Sequence, residues 1–312
     1  MRHLKSAPSA APPLAGVTRS VSPGTWWMVA AAASFALMAG AAKMLPHLPT
    51  MEKVFARSVV SVVLTGWALW RAGVSPWPRH PGLLTARAVL GFFALAAYFE
   101  GIRRIPLGTA VTIYNTAPLW AGLIGWLVLR ERYTWGRVAS VLVGLAGIAL
   151  IQRFSPDVAP AGLGFVLTCS FLSASAYTLV RVLNRRGEHP MVIVLGFPAV
   201  SIPLALLFAY LPGFGGLVAP HGSDWAWLLV LGLGTQGGQV CLTHALRHLP
   251  ASRATQIGFV GVVFAMLLGV FMGDGLPTWP QLVGAALVFA SLALFHPKAA
   301  PTTLNPPPPP RR

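Results

Sequence analysis

Ten long apolar stretches, separated by short polar or proline-containing segments, follow one another along the chain. A helix needs about 20 apolar residues to cross a membrane, because the hydrocarbon layer is about 30 Å thick. The stretches have this length, and most lack the polar face that a soluble helical bundle requires. The pattern predicts an all-α membrane protein with ten transmembrane helices, at about 25–45, 54–71, 82–102, 107–129, 136–152, 161–181, 190–211, 224–246, 252–272 and 279–296.

Composition agrees with a membrane location and charge adds an orientation. Only 10% of the residues are charged, whereas a soluble domain carries about 25%. With the N-terminus inside, sixteen of the 23 Lys and Arg residues lie in predicted cytoplasmic segments and five in outside segments. Cytoplasmic loops carry such an excess, so we expect a multi-pass protein of a bacterial-type cytoplasmic (inner) membrane with both termini cytoplasmic. The net charge of +16 is spread between apolar runs rather than clustered on one face, which argues against nucleic-acid binding.

The two ends of the chain are predicted to be tails. Residues 1–24 are rich in Ala, Pro and Ser and contain no uninterrupted apolar core before a cleavage site, so we expect a disordered cytoplasmic tail rather than a signal peptide. Residues 297–312 include a run of five prolines, which predicts an extended, Pro-rich cytoplasmic tail.

The chain repeats itself at an offset of 144 residues. Ile-Arg-Arg-Ile-Pro at 102–106 corresponds to Leu-Arg-His-Leu-Pro at 246–250, and Thr-Trp at 134–135 corresponds to Thr-Trp at 278–279. A shared offset without gaps indicates duplication, with a first five-helix repeat at 25–152 and a second at 161–296. Because five is an odd number, the second repeat must cross the membrane in the opposite sense, as in many secondary transporters.

Two of the repeated motifs resemble those of the EamA-type family of the drug/metabolite transporter superfamily. One is an Arg/Leu-Pro loop followed by a helix that opens with small residues, at 103–110 and 247–254. The other is an acidic turn after the next helix, at Glu131 and Asp274, where the family usually has a Gly-Glu pair. Here Arg130 replaces the glycine before Glu131, and Asp274 replaces the second glutamate.

A third motif, the short Pro-rich turn with Glu52 and Arg57, looks like a branch that contains importers of nucleoside-type and vitamin metabolites. The resemblance covers roughly residues 26–296. It implies ten helices in a 5+5 inverted repeat with a central cavity between the halves.

The inverted repeat favours a secondary transporter that moves a small metabolite (an amino acid, a nucleoside-like compound, a vitamin or a drug-like compound) by alternating access. The alternatives are a non-transporting receptor or assembly subunit, and an intramembrane lipid-modifying enzyme. No His-Glu-x-x-His, Gly-x-x-x-x-Gly-Lys or Gly-x-Ser-x-Gly motif is present, so we expect neither catalysis nor a cofactor or metal. The expected partners are a small-molecule substrate and the lipid bilayer. A homodimer is an alternative to the monomer.

Polar residues inside the spans are the candidates for substrate binding, because burying them in a membrane is costly. Several share one helix face at i, i+3 and i+7 spacing, among them Gln236 and Gln239 on the eighth span and Ser173 and Tyr177 on the sixth. The alternative for such stripes is hydrogen bonding between helices. The candidate substrate-binding residues are Tyr98, Tyr114, Asn115, Ser173, Tyr177, Gln236, Gln239 and Gln256.

Four charged or titratable residues inside the spans have other expected roles. Glu100 and His244 occupy matching positions at the offset of 144, which makes them candidates for proton coupling or gating. The simpler alternative for Glu100 is a local helix pair with a nearby arginine. Arg57 and Arg87 lie about one turn or more inside their spans, where we expect their side chains to extend to the headgroups; contact with an anion is the alternative.

Overall fold

A computed structural model describes residues 22–102, 104–105, 107–130, 134–151, 159–211, 216–272 and 276–293. Within these ranges the chain is helical and contains no strand. The helices are α1 (Pro23–Lys43), α2 (Thr50–Arg71), α3 (Pro81–Ile102), α4 (Leu107–Tyr114), α5 (Ala117–Leu129), α6 (Trp135–Ile151), α7 (Pro160–Arg185), α8 (Pro190–Ala209), α9 (Asp224–His248), α10 (Ala251–Ile257), α11 (Val260–Phe271) and α12 (Trp279–Ala293).

The twelve helices of the described ranges form ten spans, because α4 with α5 and α10 with α11 each make one crossing. Seven of the ten are both long and apolar enough to cross a membrane by themselves, including Ala110–Leu129 and Ala251–Phe271. The others are the shorter apolar helices α6 and α12 and the 25-residue α9, which carries several polar side chains. The prediction of an all-α protein with ten transmembrane helices is confirmed.

Helix packing follows a two-fold exchange of the halves. The exchange relates α1, α2 and α3 to α7, α8 and α9. The packed pair α3 and α7 therefore corresponds to the pair α9 and α1, and the pair α2 and α9 corresponds to the pair α8 and α3. Two pairs, α2 with α8 and α6 with α12, join equivalent helices of the two halves. The offset of 144 carries the first residue of each of α3, α4, α5 and α6 to within one residue of the start of α9, α10, α11 and α12. The two halves are therefore an inverted pair that is interleaved rather than side by side.

The fourth span is broken where the sequence predicts a continuous helix over 107–129. Pro118 has no N–H, so the carbonyl oxygen of Tyr114 loses its helical donor, and Ser170 Oγ of α7 donates to that oxygen at 3.0 Å. The Thr116 hydroxyl donates to the Ile113 carbonyl at 2.8 Å and lies 3.0 Å from the same serine. The freed backbone groups are thus satisfied by a neighbouring helix, which is how membrane proteins tolerate such breaks.

The ninth span, predicted over 252–272, is broken at the equivalent place, between α10 and α11 at Gly258 and Phe259. Glycine has a low helix propensity. Both broken spans therefore place a backbone irregularity part-way through the membrane, one in each half. Discontinuous helices of this kind often form binding sites in secondary transporters.

The first helix begins earlier than predicted. Pro23 and Gly24, assigned to the tail from the sequence, belong to α1, in which Pro23 is the first residue. Proline suits this position because the missing N–H would have no helical partner there. Ser22 precedes the helix, and residues 1–21 and 297–312 of the predicted tails lie outside the described residues, as do Arg103 and the acidic turns at Glu131 and Asp274.

Candidate substrate-binding site

Three tyrosines from both halves meet beside the break in the fourth span. The hydroxyls of Tyr114, the last residue of α4, and Tyr177 of α7 are 3.5 Å apart. The rings of Tyr98 and Tyr114 meet edge to face, with centroids 5.6 Å apart. Ser173 lies one turn before Tyr177, and its hydroxyl contacts the Cys169 thiol at 3.9 Å. The structure therefore brings four of the predicted site residues together at the interface between the halves.

A second cluster joins this group through two arginines. Arg87 of α3 is only 2% exposed, and its Nη2 donates to Gln239 Oε1 of α9 at 2.9 Å. The guanidinium carbons of Arg87 and Arg57 lie 4.7 Å and 5.8 Å from the ring centroid of Phe197. Both cations are also within electrostatic range of the Tyr177 hydroxyl.

The expectation that these arginines extend to the headgroups is wrong for Arg87, which points into the interface instead. The physical reason is that α9 and α8 supply an amide acceptor and an aromatic face, and neither partner is visible from the spacing along α3. Arg57 likewise turns inward, since its Nη1 contacts the sulfur of Met38 on α1 at 3.6 Å.

The two glutamines of α9 have different partners. Gln236 Nε2 donates to Thr65 Oγ1 of α2 at 2.7 Å, while its buried Oε1 has no hydrogen-bond partner in the described part of the chain. Gln239, almost one turn later, holds Arg87. Both amides therefore bridge the two halves, and Gln236 keeps one acceptor available.

Asn115 and Gln256 stand apart from this cluster. Asn115 Nδ2 donates to the Val111 carbonyl of its own helix at 2.7 Å, so its amide is used locally at the break. Gln256 is fully buried, and its Nε2 donates to Ser140 Oγ at 2.7 Å and to the Ser291 carbonyl at 3.3 Å. It therefore ties α10 to α6 and α12.

Sequence reasoning missed two buried carboxylates that close opposite ends of the interface. Glu188, just before α8, accepts hydrogen bonds from the backbone N–H groups of Arg79 and His80 at 2.9 and 3.1 Å. Glu52, in the first turn of α2, accepts one from the backbone N–H of Val218 at 2.9 Å. In each case a glutamate of one half holds the loop between the second and third spans of the other half. The one partial signal was the Pro-rich turn motif that contains Glu52. Glu188 stands 136 residues after Glu52, off the repeat offset of 144, so the repeat does not mark it.

The end that carries Glu52 has one more contact between the halves. His47 Nε2, in the loop after α1, lies 3.0 Å from Asp224 Oδ2 at the start of α9. The same carboxylate oxygen accepts the backbone N–H of His221 at 3.0 Å. We call the two sets the Glu188 contact and the Glu52 contact, the latter including the pair of His47 and Asp224.

Comparison with known proteins decides the family. Two segments, residues 22–153 and 160–296, match the model of the EamA-like transporter family. The chain belongs to the EamA-like transporter family. The pseudopaline exporter of Pseudomonas aeruginosa is 29% identical over 80% of this chain and 88% of its own length. The riboflavin transporter of Rhizobium johnstonii is 26% identical over 87% and 90%. A solved crystal structure with 20% identity shares the fold, with a TM-score of 0.74 over 87% of this chain and 95% of the other.

One departure from the usual pattern of the EamA-like transporter family has a clear local geometry. Arg130 follows α5 with a φ of 54°, in the left-handed region. Glycine is the common residue at this position after a helix because it has no Cβ to clash there. The glycine usually found before the acidic turn therefore fits this backbone better than arginine does.

Glu100 and His244 lie at opposite ends of the transporter, so the structure does not bring them together. Glu100 forms an i,i+4 ion pair with Arg104 and lines a groove of about 860 Å³ between α3 and α7 whose walls include Phe93 and Phe165. His244 stacks on Trp27, with ring centroids 4.9 Å apart. Each side chain thus has a local contact, and the coupling or gating role stays a prediction.

Proposed function

We propose that this chain is a secondary transporter that moves a small metabolite across the cytoplasmic membrane by alternating access, with both termini in the cytoplasm. One observation carries the proposal: side chains of both halves meet beside the broken fourth span. The residues proposed to contact the substrate are Tyr98, Tyr114, Ser173, Tyr177, Gln236 and Gln239. The inverted halves and discontinuous helices are the arrangement in which transporters place a site between repeats.

The two ends of the interface support alternating access. The Glu188 contact and the Glu52 contact close opposite ends, and the exchange of halves relates them. When one contact is released and the other is retained, the cluster opens to one side of the membrane. The inverted repeat makes two such states similar in energy, because each is approximately the other with the halves exchanged.

The relatives support a small organic substrate. One is named for the export of pseudopaline and another for the transport of riboflavin. The two names give different compounds, so relatives of this chain transport more than one substrate. We infer the substrate class from the side chains of this chain rather than from either name.

Comparative metabolomics followed by reconstitution tests the proposal. Cells with and without the full chain are compared, and the compounds whose levels change most are tested for flux in proteoliposomes, with riboflavin as a fixed additional probe. We expect flux driven by a gradient without ATP. Gln239→Ala should reduce it strongly, whereas Gln281→Ala, a matched change in the first turn of α12, should not. A folded wild-type protein that moves none of these compounds would contradict the proposal.

A further inference from the structure

Two cations at the interface, the buried Arg87 and the half-buried Arg57, have buried hydrogen-bond donors without an acceptor in the described part of the chain. The Nε and Nη1 of Arg87 and the Nε of Arg57 are out of contact with solvent and have no acceptor in the described part of the chain. A buried guanidinium is costly unless it is paired and hydrogen-bonded. Among the described residues, the one polar acceptor of Arg87 is the neutral Oε1 of Gln239, so no described carboxylate compensates its charge.

The four carboxylates in the described part of the chain have other partners. The chain has seven acidic residues, and four of them lie in the described ranges. Glu52 and Glu188 accept backbone N–H groups, Glu100 pairs with Arg104, and Asp224 pairs with His47. All four lie at or near the ends of helices, away from Arg87. The remaining three, at 131, 157 and 274, lie outside the described residues.

The surroundings of the two cations favour an oxyanion. Phe197 lies under both guanidinium groups, and Gln239 orients one of them. Gly91 lets the Phe197 ring pack directly on α3 beside Arg87, since a Cβ there would lie 2.9 Å from the ring and 3.9 Å from Arg87 Nη1. Arginine N–H groups match the geometry of carboxylate and phosphate oxygens.

We propose that Arg57 and Arg87 bind a carboxylate or phosphate group of the transported compound, whose remaining part contacts the three tyrosines. This inference rests on the proposed function, because it names the substrate class of the same site. It excludes cationic substrates, which two uncompensated positive charges would repel.

The first test measures the empty protein and needs no known substrate. Arg87→Gln removes an uncompensated charge, so the unfolding temperature of the purified full-length protein should rise by a few degrees. Arg181→Gln is the matched control, because that guanidinium of α7 already donates to the Leu246 and Leu249 carbonyls and its loss should lower the unfolding temperature. An Arg87→Gln protein that is less stable than the wild type overturns the proposal, since its charge would then be solvated or paired.

The second test identifies what binds. The purified wild type, Arg87→Gln and Arg57→Gln proteins are incubated with a bacterial metabolite extract, and retained compounds are identified by mass spectrometry. We expect the wild type to enrich compounds with a carboxylate or a phosphate, and each variant to lose about tenfold or more of that enrichment. Whether the retained compounds carry a carboxylate or a phosphate shows which of these two groups the site binds. Retention of neutral or cationic compounds, or equal retention by the variants, overturns the proposal.

The two proposals fail in different ways. If the wild type retains anions through Arg87 but produces no flux in proteoliposomes, the transport proposal is wrong and the binding site stands. If flux is found for a neutral or cationic compound and Arg87→Gln does not reduce it, transport stands and the anion site is wrong. Retention of nothing by the wild type, together with no stabilisation in Arg87→Gln, also refutes the anion site.

Discussion

The Glu188 contact should control access to the site from its end of the molecule. Glu188 is 4% exposed, and its carboxylate holds two backbone N–H groups of the loop between α2 and α3. Hydrogen bonds to a charged group contribute about 1.5–3 kcal/mol each. Replacing Glu188 with alanine removes both, so we expect the closed form of this end to lose about 3 kcal/mol relative to the open form.

A loss of this size shifts the balance between the two forms about a hundredfold. An end that is open in about 1% of wild-type molecules becomes open in about half of them. Glu188→Gln keeps one oxygen acceptor and loses the charge, so its effect should be smaller, about tenfold. The order wild type, glutamine variant, alanine variant is therefore part of the prediction.

Distances between pairs of spin labels, measured in nanodiscs with both native cysteines replaced by serine, provide the assay. Labels at Trp77 and Arg186 report on the Glu188 end, and labels at Met44 and Leu217 report on the opposite end. Glu188→Ala should broaden and lengthen only the first distribution. An unchanged first distribution would refute the reasoning, and equal changes at both ends would indicate general loosening of the fold.

Three further predictions concern single positions. Arg130→Gly should raise the stability of the protein by about 0.5–1 kcal/mol in a denaturant titration, because glycine tolerates the left-handed backbone after α5. Gly147→Ala should lower the unfolding temperature, since the added Cβ would lie 2.6 Å from the carbonyl oxygen of Gly284, where α6 and α12 approach most closely. If Glu100 or His244 couples transport to protons, Glu100→Gln or His244→Gln will change the dependence of uptake on pH, and an unchanged profile ends that hypothesis.

Hydrophobicity and repetition were sufficient to predict the architecture of the protein. Every predicted span coincides with a helix or a broken helix, because burial in lipid imposes a length and an apolar composition that can be read directly along a chain. The offset of 144 also carries the break at Asn115 and Thr116 to within about a residue of the one at Gly258 and Phe259. The sequence analysis did not predict the breaks themselves. Pro118 marks the first break, but proline alone does not predict one, because membrane helices tolerate proline when a neighbouring helix supplies the missing donor.

The partners of polar side chains were much harder to predict. Gln239 and Gln256 are alike as buried amides in apolar helices, yet one contacts Arg87 between the halves and the other ties α10 to α6 and α12. Helix periodicity gives the face on which a side chain lies, but not which helix covers that face. The sequence named the three tyrosines only as separate candidates. Their meeting beside the fourth span, like the place of Gln256, follows from how several helices pack.

The two ends of the interface differ in a way that bears on the direction of opening. The Glu188 contact consists of two bonds from one loop to one carboxylate. The Glu52 contact has a single backbone bond and a separate pair between His47 and Asp224. The pair of His47 and Asp224 gives the Glu52 end a contact between two side chains, whereas the Glu188 contact consists of backbone N–H groups bonded to one carboxylate. Different bonds are therefore broken when each end opens, so we expect the two closed forms to differ in energy although the exchange of halves is approximately symmetrical.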